Sequence, residues 1–426
     1  MFQSLVDKSI SLGRQIAIHS IKFPSEQVNL PEGIESFTTV TSPEQNFKVW
    51  QATELIQKPM ENLIRSLSPD CIFSDMCFPW TVDLALELNI PRLMFFASSF
   101  FYQCVEHTLK LYESCNDMVE SGTETFSIPE LPDDIKMKKS QLPDHMSRTQ
   151  FGEHFKLIVE SQTRSYGTVH DTFFELEPAY VDLYKKTICN KSWHIGPLFH
   201  SSGRNGVHIS GKITSSHQHC INWLDRQKPK SVVYVCFGSM VKFSDRQCTE
   251  ILQALNASNQ PFVFVTKTSA FVLGDFDEKK GIVINGWAPQ IKILNHVAVG
   301  GFMTHCGWNS VLEAMVAGVP LITWPLFAEQ FYNERLIVQI LGNGVEVGSD
   351  FWNLLAEIKC PVIDKQKIEK AVMRLMGGSA ESEMIRQRAE EISVMAKRAV
   401  KEGGSSYNDL TALIQDIKDL KVHKNY

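Results

Sequence analysis

The 426-residue sequence has no apolar run of membrane-spanning length. The longest uncharged apolar stretch near its centre, Ala314 to Ala328, has 15 residues and holds Pro320 and Pro325. A spanning helix needs about 20. The N-terminal stretch MFQSLVDKSISLGR is broken by Asp7, Lys8 and Arg14, so it lacks the apolar region of a signal peptide. No Cys-x-x-Cys pair occurs among ten scattered cysteines. A chain this long needs no disulfide staples, so reduced buried thiols and a cytoplasmic location are expected. A basic excess is missing too. Forty-two Lys+Arg against 48 Asp+Glu leave a net charge of −6, which argues against a chain-wide nucleic-acid footprint but leaves room for a local anion pocket.

What is present is core material: 43% of residues are hydrophobic and 10% aromatic, which excludes a disordered chain. The length suggests two or three domains. Helical spacing over Phe2–Ile10 is closed by Gly13, and alternating Ile16, Ile18, Ile21 and Phe23 read as a strand before Pro24. A helical stretch from Phe47 to Leu67, a strand Cys71–Asp75, a helix Thr81–Leu88 and a strand Arg92–Phe96 follow. This rhythm implies a parallel sheet flanked by helices. Residues 201–216, SSGRNGVHISGKITSS, form a linker candidate between an N-terminal unit, 1–200, and a second unit, 217–404.

In the second unit, strands are expected at Ser231–Phe237, Pro261–Thr266, Gly281–Asn285, Val299–Thr304 and Pro320–Thr323, with helices at Asp245–Asn256, Ser310–Ala317 and Glu329–Ile340. An apolar stripe from Ile385 to Ala399 marks a further helix. Ser406 and Asp409 read as a capping box for a last helix, about 405–426, which is expected to pack back on the N-terminal unit.

The densest chemical signal is WAPQIKILNHVAVGGFMTHCGWNSVLEAMVAGVPLITWPLFAEQ, Trp287 to Gln330. A strand ending at Thr304 turns through His305-Cys306-Gly307 into a helix near Asn309-Ser310. Free backbone N–H groups and the positive helix end make that turn an anion site, without a Gly-x-Gly-x-x-Gly fingerprint. Glu313, one turn on, can accept hydrogen bonds from a ribose diol, and Trp287 offers a face to a planar base. A single His or Trp here would more often be core. Co-occurrence at fixed spacing is what favours a nucleotide site.

This segment closely resembles the 44-residue signature box of the plant UDP-dependent glycosyltransferases. The resemblance runs along essentially the whole chain through FSDMCFPW, FELEPAY, WHIGP, NWLDRQKPKSVVYVCFGS and EGGSSYNDL. It implies an α/β GT-B fold, two Rossmann-like doubly wound domains facing across a cleft. By position, Trp287 would stack on uracil, Ala288 would contact the base through its backbone, and Gln290 and Glu313 would hold the ribose. Ser239, His305, Asn309 and Ser310 would bind the diphosphate, while Trp308, Glu329 and Gln330 would face the sugar. Gln330 at the last box position suggests glucose. The branch it resembles most acts on triterpenoids, flavonoids, coumarins and plant hormones.

Inverting transfer requires the acceptor hydroxyl to lose its proton while attacking from the face opposite the diphosphate. A His oriented by a carboxylate suits that task. Asp75 matches the family's orienting aspartate. The family's catalytic His lies in a Gly-His loop after the first strand, and no such segment is found; His19, inside an alternating stretch, is rejected as the base. The expectation is a first domain missing its initial strand-helix-strand, roughly 35–50 residues. The alternative reading is a truncated, non-catalytic product that retains UDP-sugar binding.

No metal and no cofactor are expected, with UDP-glucose as co-substrate and a hydrophobic small molecule as acceptor. Asp275-Phe276-Asp277 mimics a metal-binding DxD but sits in a charged loop. Phe78 and Phe100 are the acceptor-pocket candidates. A nicotinamide dehydrogenase lacks its glycine fingerprint here, and a monomer without nucleic-acid or membrane partners is expected.

Overall fold

A computed structural model of the chain describes residues 3–40, 42–113, 125–143, 150–201, 215–268, 276–277, 279–353 and 361–424. Its strands are β1 (Ile72–Asp75), β2 (Arg92–Phe96), β3 (Thr125–Ile128), β4 (Ile135–Lys138), β5 (Gly167–His170) and β6 (Ser192–His194) in the first half. The second half holds β7 (Val232–Cys236), β8 (Phe262–Thr266), β9 (Gly281–Asn285), β10 (Val299–Thr304), β11 (Leu321–Thr323) and β12 (Gly344–Glu346). The first half builds a parallel sheet in the order β1-β2-β5-β6, and the second a parallel sheet in the order β12-β11-β10-β7-β8-β9. These are two helix-flanked α/β layers of the GT-B type. The linker positions 202–214 lie outside the described residues.

Continuous apolar runs make the second sheet because both of its faces are covered. Alternation assigns the faces. Val233 and Val235, with Phe262 and Phe264, pack under Cys248, Ile251 and Leu255 on one side. Val232 and Tyr234 face the helix Trp308–Ala317 and Ile392, Ala396 and Ala399 on the other. That second cluster continues into Phe101, Tyr102 and Tyr180 of the first half, where Tyr102 stacks on Tyr332 at 5.7 Å. The two halves therefore share one apolar seam.

Three sequence expectations change. The stretch Ile16–Phe23 has no regular secondary structure and makes no ladder, and Ile16 and Ile18 are about half exposed. An alternating pattern becomes a strand only when a neighbouring edge satisfies its backbone groups, and no described strand lies beside it. The Phe47–Leu67 stretch divides at Ile56 into helices Pro43–Leu55 and Gln57–Leu67. The third change is the capping box. The last helix, Ser405–Lys424, starts before Ser406, whose hydroxyl donates to the Gly196 carbonyl at 2.6 Å. Asp409 accepts instead from the His194 backbone N–H at 3.0 Å. Both side chains face the first sheet, so they dock the helix rather than cap it. Leu413, buried with Leu93 and Val169, completes the attachment.

The hairpin β3–β4 escaped the sequence reading although Thr125–Ile128 and Ile135–Lys138 alternate exposed and buried. It reaches across to the second half, where the Lys136 N–H donates to Gln339 Oε1 at 3.2 Å and Gln339 Nε2 returns a bond to the Lys136 carbonyl.

Candidate functional site

In the second sheet, chain order runs outward from the β7–β10 pair in opposite directions, which makes that pair the topological switch point. Ligands of such sheets bind beyond the carboxyl ends of the strands at that point. β7 ends into Phe237-Gly238-Ser239 and β10 into His305-Cys306-Gly307. Gly238 has φ +74°, and a Cβ there would lie 2.8 Å from the His305 ring; one on Gly307 would lie 2.5 Å from His305 Nε2. The imidazole is thus clasped between two residues that must lack side chains. Cys306 takes φ +66°, and the Trp308–Ala317 helix begins with no side-chain cap, leaving its first N–H groups for another acceptor. Burial pulls His305 down to about 4, so at neutral pH it offers a ring N–H rather than a positive charge.

Beside that turn, Gln290 Nε2 donates to Glu313 Oε2 at 2.8 Å and to Ser310 Oγ at 3.0 Å, while its Oε1 accepts from the Tyr234 hydroxyl at 3.3 Å. Burial raises the Glu313 pKa, and the Gln290 bond partly offsets this. The Trp287 carbonyl accepts from His217 Nε2 at 2.9 Å, which fixes the proton on that nitrogen. The Trp287 ring meets His217 edge-on and is still 44% exposed, leaving a face open to the cleft.

A cleft of about 730 Å³ gathers Ser239, Trp287, Ala288, Gln290 and Glu313 on its walls. The other nucleotide-sugar candidates lie off those walls. Ser310 sits behind Gln290, and Asn309 is exposed in the first turn of the helix. Trp308 is buried, its indole Nε1 donating to the Asp171 carbonyl at 2.7 Å. Burial raises Glu329, while the Trp308 backbone N–H and Asn333 favour its charged form. Gln330 is 2% exposed and its Oε1 accepts from the backbones of Leu326 and Phe327 at 3.0 and 3.1 Å. That oxygen holds the preceding turn.

On the first domain, Asp75 stands exposed at the end of β1, with Oδ1 accepting from the Cys77 N–H at 2.9 Å. Phe78 lines a separate cleft of about 460 Å³ with Trp50, Trp80, His154 and Leu157. Phe100 is a correction. It is fully buried, stacked on His170 at 4.0 Å and edge-on to Tyr184, so it is core and not pocket wall. His19 is exposed in the irregular segment before Pro24. Of the DxD mimic, Asp275 lies outside the described residues, and Asp277 accepts from the Lys279 N–H at 2.9 Å within a turn.

Lys242, Lys267 and Thr268 line the main cleft and were missed. Lys267 donates to the Ser239 carbonyl, and burial together with Lys242 lowers its pKa. Its position directly after β8 was the available signal, since the residue following a parallel strand faces the ligand edge.

The family model described as UDP-glucoronosyl and UDP-glucosyl transferase matches residues 203–376. Nuatigenin 3-beta-glucosyltransferase of Solanum aculeatissimum is 49% identical over 442 residues, covering 100% of this chain and 90% of its own. Solanidine UDP-glucose glucosyltransferase 1 of Solanum tuberosum is also 49% identical, covering 99% and 90%. Among solved structures, Glycyrrhiza uralensis UGT73P12 complexed with glycyrrhetinic acid 3-O-monoglucuronide superposes with a TM-score of 0.92 at 38% identity, covering 99% of this chain and 88% of that one. Medicago truncatula UGT71G1 complexed with UDP-glucose gives 0.74 at 26%, covering 97% and 87%. The chain belongs to the plant UDP-dependent glycosyltransferases and has their GT-B fold.

Proposed function

We propose that the protein transfers glucose from UDP-glucose to a hydroxyl of a hydrophobic plant metabolite, inverting the anomeric centre without a metal or a bound cofactor. One observation carries this reading: Trp287, Gln290, Glu313 and Ser239 line a single cleft at the switch point of the second sheet. Uracil stacks on the open face of Trp287, with Ala288 beside it. The ribose hydroxyls bind Glu313, which Gln290 holds in place. The diphosphate lies between Ser239, His305, Asn309, Ser310 and the uncapped helix end, and the hexose extends toward Trp308, Glu329 and Gln330. Neutral His305 donates a hydrogen bond to the leaving diphosphate, and the helix dipole supplies the electrostatic share.

Asp75 takes the place of the carboxylate that orients the family's general-base His; that His is not found in this sequence, so a product that binds the nucleotide sugar without turnover is the alternative reading. The cleft at Phe78 and Trp80 receives the apolar acceptor. Similarity to the nuatigenin and solanidine enzymes favours a steroidal or triterpenoid hydroxyl, and the scopoletin and flavonoid relatives widen the class to phenols. A cytoplasmic monomer is part of this proposal; the eight described cysteines are free thiols, as a reducing compartment keeps them.

Calorimetric titration with UDP, paired with product analysis from UDP-glucose and a panel of sterol, triterpenoid and phenolic acceptors, tests the proposal. A β-glucoside product supports it. Absence of UDP binding overturns the site, and binding without product on any acceptor leaves a nucleotide-sugar-binding protein instead.

A further inference from the structure

Asn333 is fully buried in the helix Gln330–Arg335 and is none of the donor-site residues assigned above. Its Nδ2 donates to the Cys306 carbonyl at 2.9 Å and makes a longer contact, 3.4 Å, with Glu329 Oε1. Two oxygen acceptors on one side fix which way round the amide sits. Its Oδ1, on the other side, is buried and meets no donor among the described residues. A buried amide left half satisfied costs stability that an apolar side chain of similar size would not. Packing alone therefore does not account for an asparagine here.

Its partners give the reason. Cys306 belongs to the turn after β10, and Glu329 to the turn that leads into the helix Gln330–Arg335. Each turn holds a non-glycine residue in the left-handed region, Cys306 at φ +66° and Ala328, directly before Glu329, at φ +50°. Such backbone persists only where its surroundings over-determine it, and it collects at functional sites. Asn333 is bonded to both turns, by its side chain to the Cys306 carbonyl and by its backbone N–H to the Glu329 carbonyl at 3.1 Å. The Glu329 carboxylate is in turn favoured in its charged form by the Trp308 backbone N–H and by Asn333. A closed circuit results, from Cys306 through Asn333 and Glu329 back to Trp308. Glu329 stays partly exposed, whereas Asn333 is enclosed and acts only through its partners.

We infer that Asn333 is a positioning residue for the sugar end of the donor: it locks the Glu329 carboxylate to the turn after β10, so that hexose and diphosphate are received at one fixed separation. This rests on the donor site proposed above, in which Glu329 faces the hexose. Two anchors tied together favour a ligand whose two parts match their spacing, because little ordering is left for the ligand to impose. The effect therefore falls on UDP-glucose more than on UDP, which lacks the hexose.

The test titrates the full chain with UDP and with UDP-glucose by calorimetry, in the wild type, Asn333→Leu, Glu329→Ala and the double variant, with thermal unfolding as the check on folding. Asn333→Leu is expected to raise the Kd for UDP-glucose about five-fold and that for UDP by no more than about two-fold. Glu329→Ala should show the same selective loss, and the double variant no further loss, since both changes act through one carboxylate. Asn333→Asp keeps the shape but loses the amide donor, so it should match Asn333→Leu, and it carries the comparison if the leucine variant does not fold. An unchanged UDP-glucose Kd in the Asn333 variants, equal losses for the two ligands, or additive losses in the double variant each overturn the inference and leave Glu329 in its place. An unchanged UDP-glucose Kd in Glu329→Ala removes the hexose assignment itself, and the inference with it.

Discussion

The indole Nε1 of Trp308 donates a 2.7 Å hydrogen bond to the main-chain carbonyl of Asp171. The bond ties the first turn of the helix Trp308–Ala317 to the residue that follows β5, across the two halves. Trp308→Phe keeps an aromatic ring but strands a buried carbonyl. A stability loss of about 1–3 kcal/mol in urea unfolding is expected. An unchanged unfolding midpoint would show that the bond is dispensable.

In the proposed site Glu313 would bind ribose as a carboxylate, and burial raises its pKa above the usual 4.5. Its ionised fraction therefore begins to fall at a higher pH than for an exposed glutamate. UDP affinity should weaken as pH drops from 7 toward 5, and Glu313→Gln should flatten that slope while lowering affinity at pH 7. A wild-type slope retained in the variant would remove Glu313 from the ribose site.

Gly238 and Gly286 both have positive φ, +74° and +96°, but differ in surroundings. An alanine at 286 meets open space, whereas one at 238 meets the His305 ring at 2.8 Å. Each change carries a backbone cost of about 1–2 kcal/mol. Only Gly238→Ala should also displace His305 and weaken UDP binding. Equal UDP affinities in the two variants would contradict the clasp around the imidazole.

Much of the fold is legible because parallel strands and the turns after them leave local signatures. β2, β9 and β10 fall at their expected bounds, and Trp287, Gln290 and Glu313 of the signature segment line one cleft. Side-chain direction was harder. Phe100 lies near a strand end, where an aromatic can face a pocket or the core, and only packing on His170 and Tyr184 decides between them. Ser406 and Asp409 have capping-box spacing, but their partners Gly196 and His194 are over 200 positions away. Lys267 has only its place directly after β8 to mark it; that it meets the Ser239 carbonyl depends on β8 lying beside β7.

Glu177 is fully enclosed, with Oε2 accepting from the Phe101 N–H and Oε1 from the Thr172 hydroxyl, both at 2.6 Å. Burial nevertheless pushes it up to about 7. Between pH 4.5 and 7 the folded chain holds a proton that the unfolded chain has released. This group's contribution to stability is full below that window and declines as pH rises through it, by on the order of 3 kcal/mol. Glu177→Gln should remove the decline. A chemical-denaturation series across pH 4.5–7.5 measures it, and parallel curves for the two proteins would refute the assignment.

Asp409 accepts from both the backbone N–H and the ring Nε2 of His194, at 3.0 and 3.2 Å. Asp409→Ala should loosen the last helix by about 1–3 kcal/mol. Faster amide exchange over residues 405–424, with exchange in β7 and β8 unaltered, is the expected pattern. Uniform acceleration through both sheets would instead indicate global destabilisation.

The last helix also separates chain order from domain membership. Its residues follow the whole second sheet in sequence, but Lys421 pairs with Asp70, and Asp416 takes bonds from Tyr166 and Lys191, all in the opposite half. The backbone consequently passes between the halves twice. A peptide-bond break between residues 202 and 214 would yield two fragments in which the second still grips the first by its own tail, and the pair should co-elute on gel filtration.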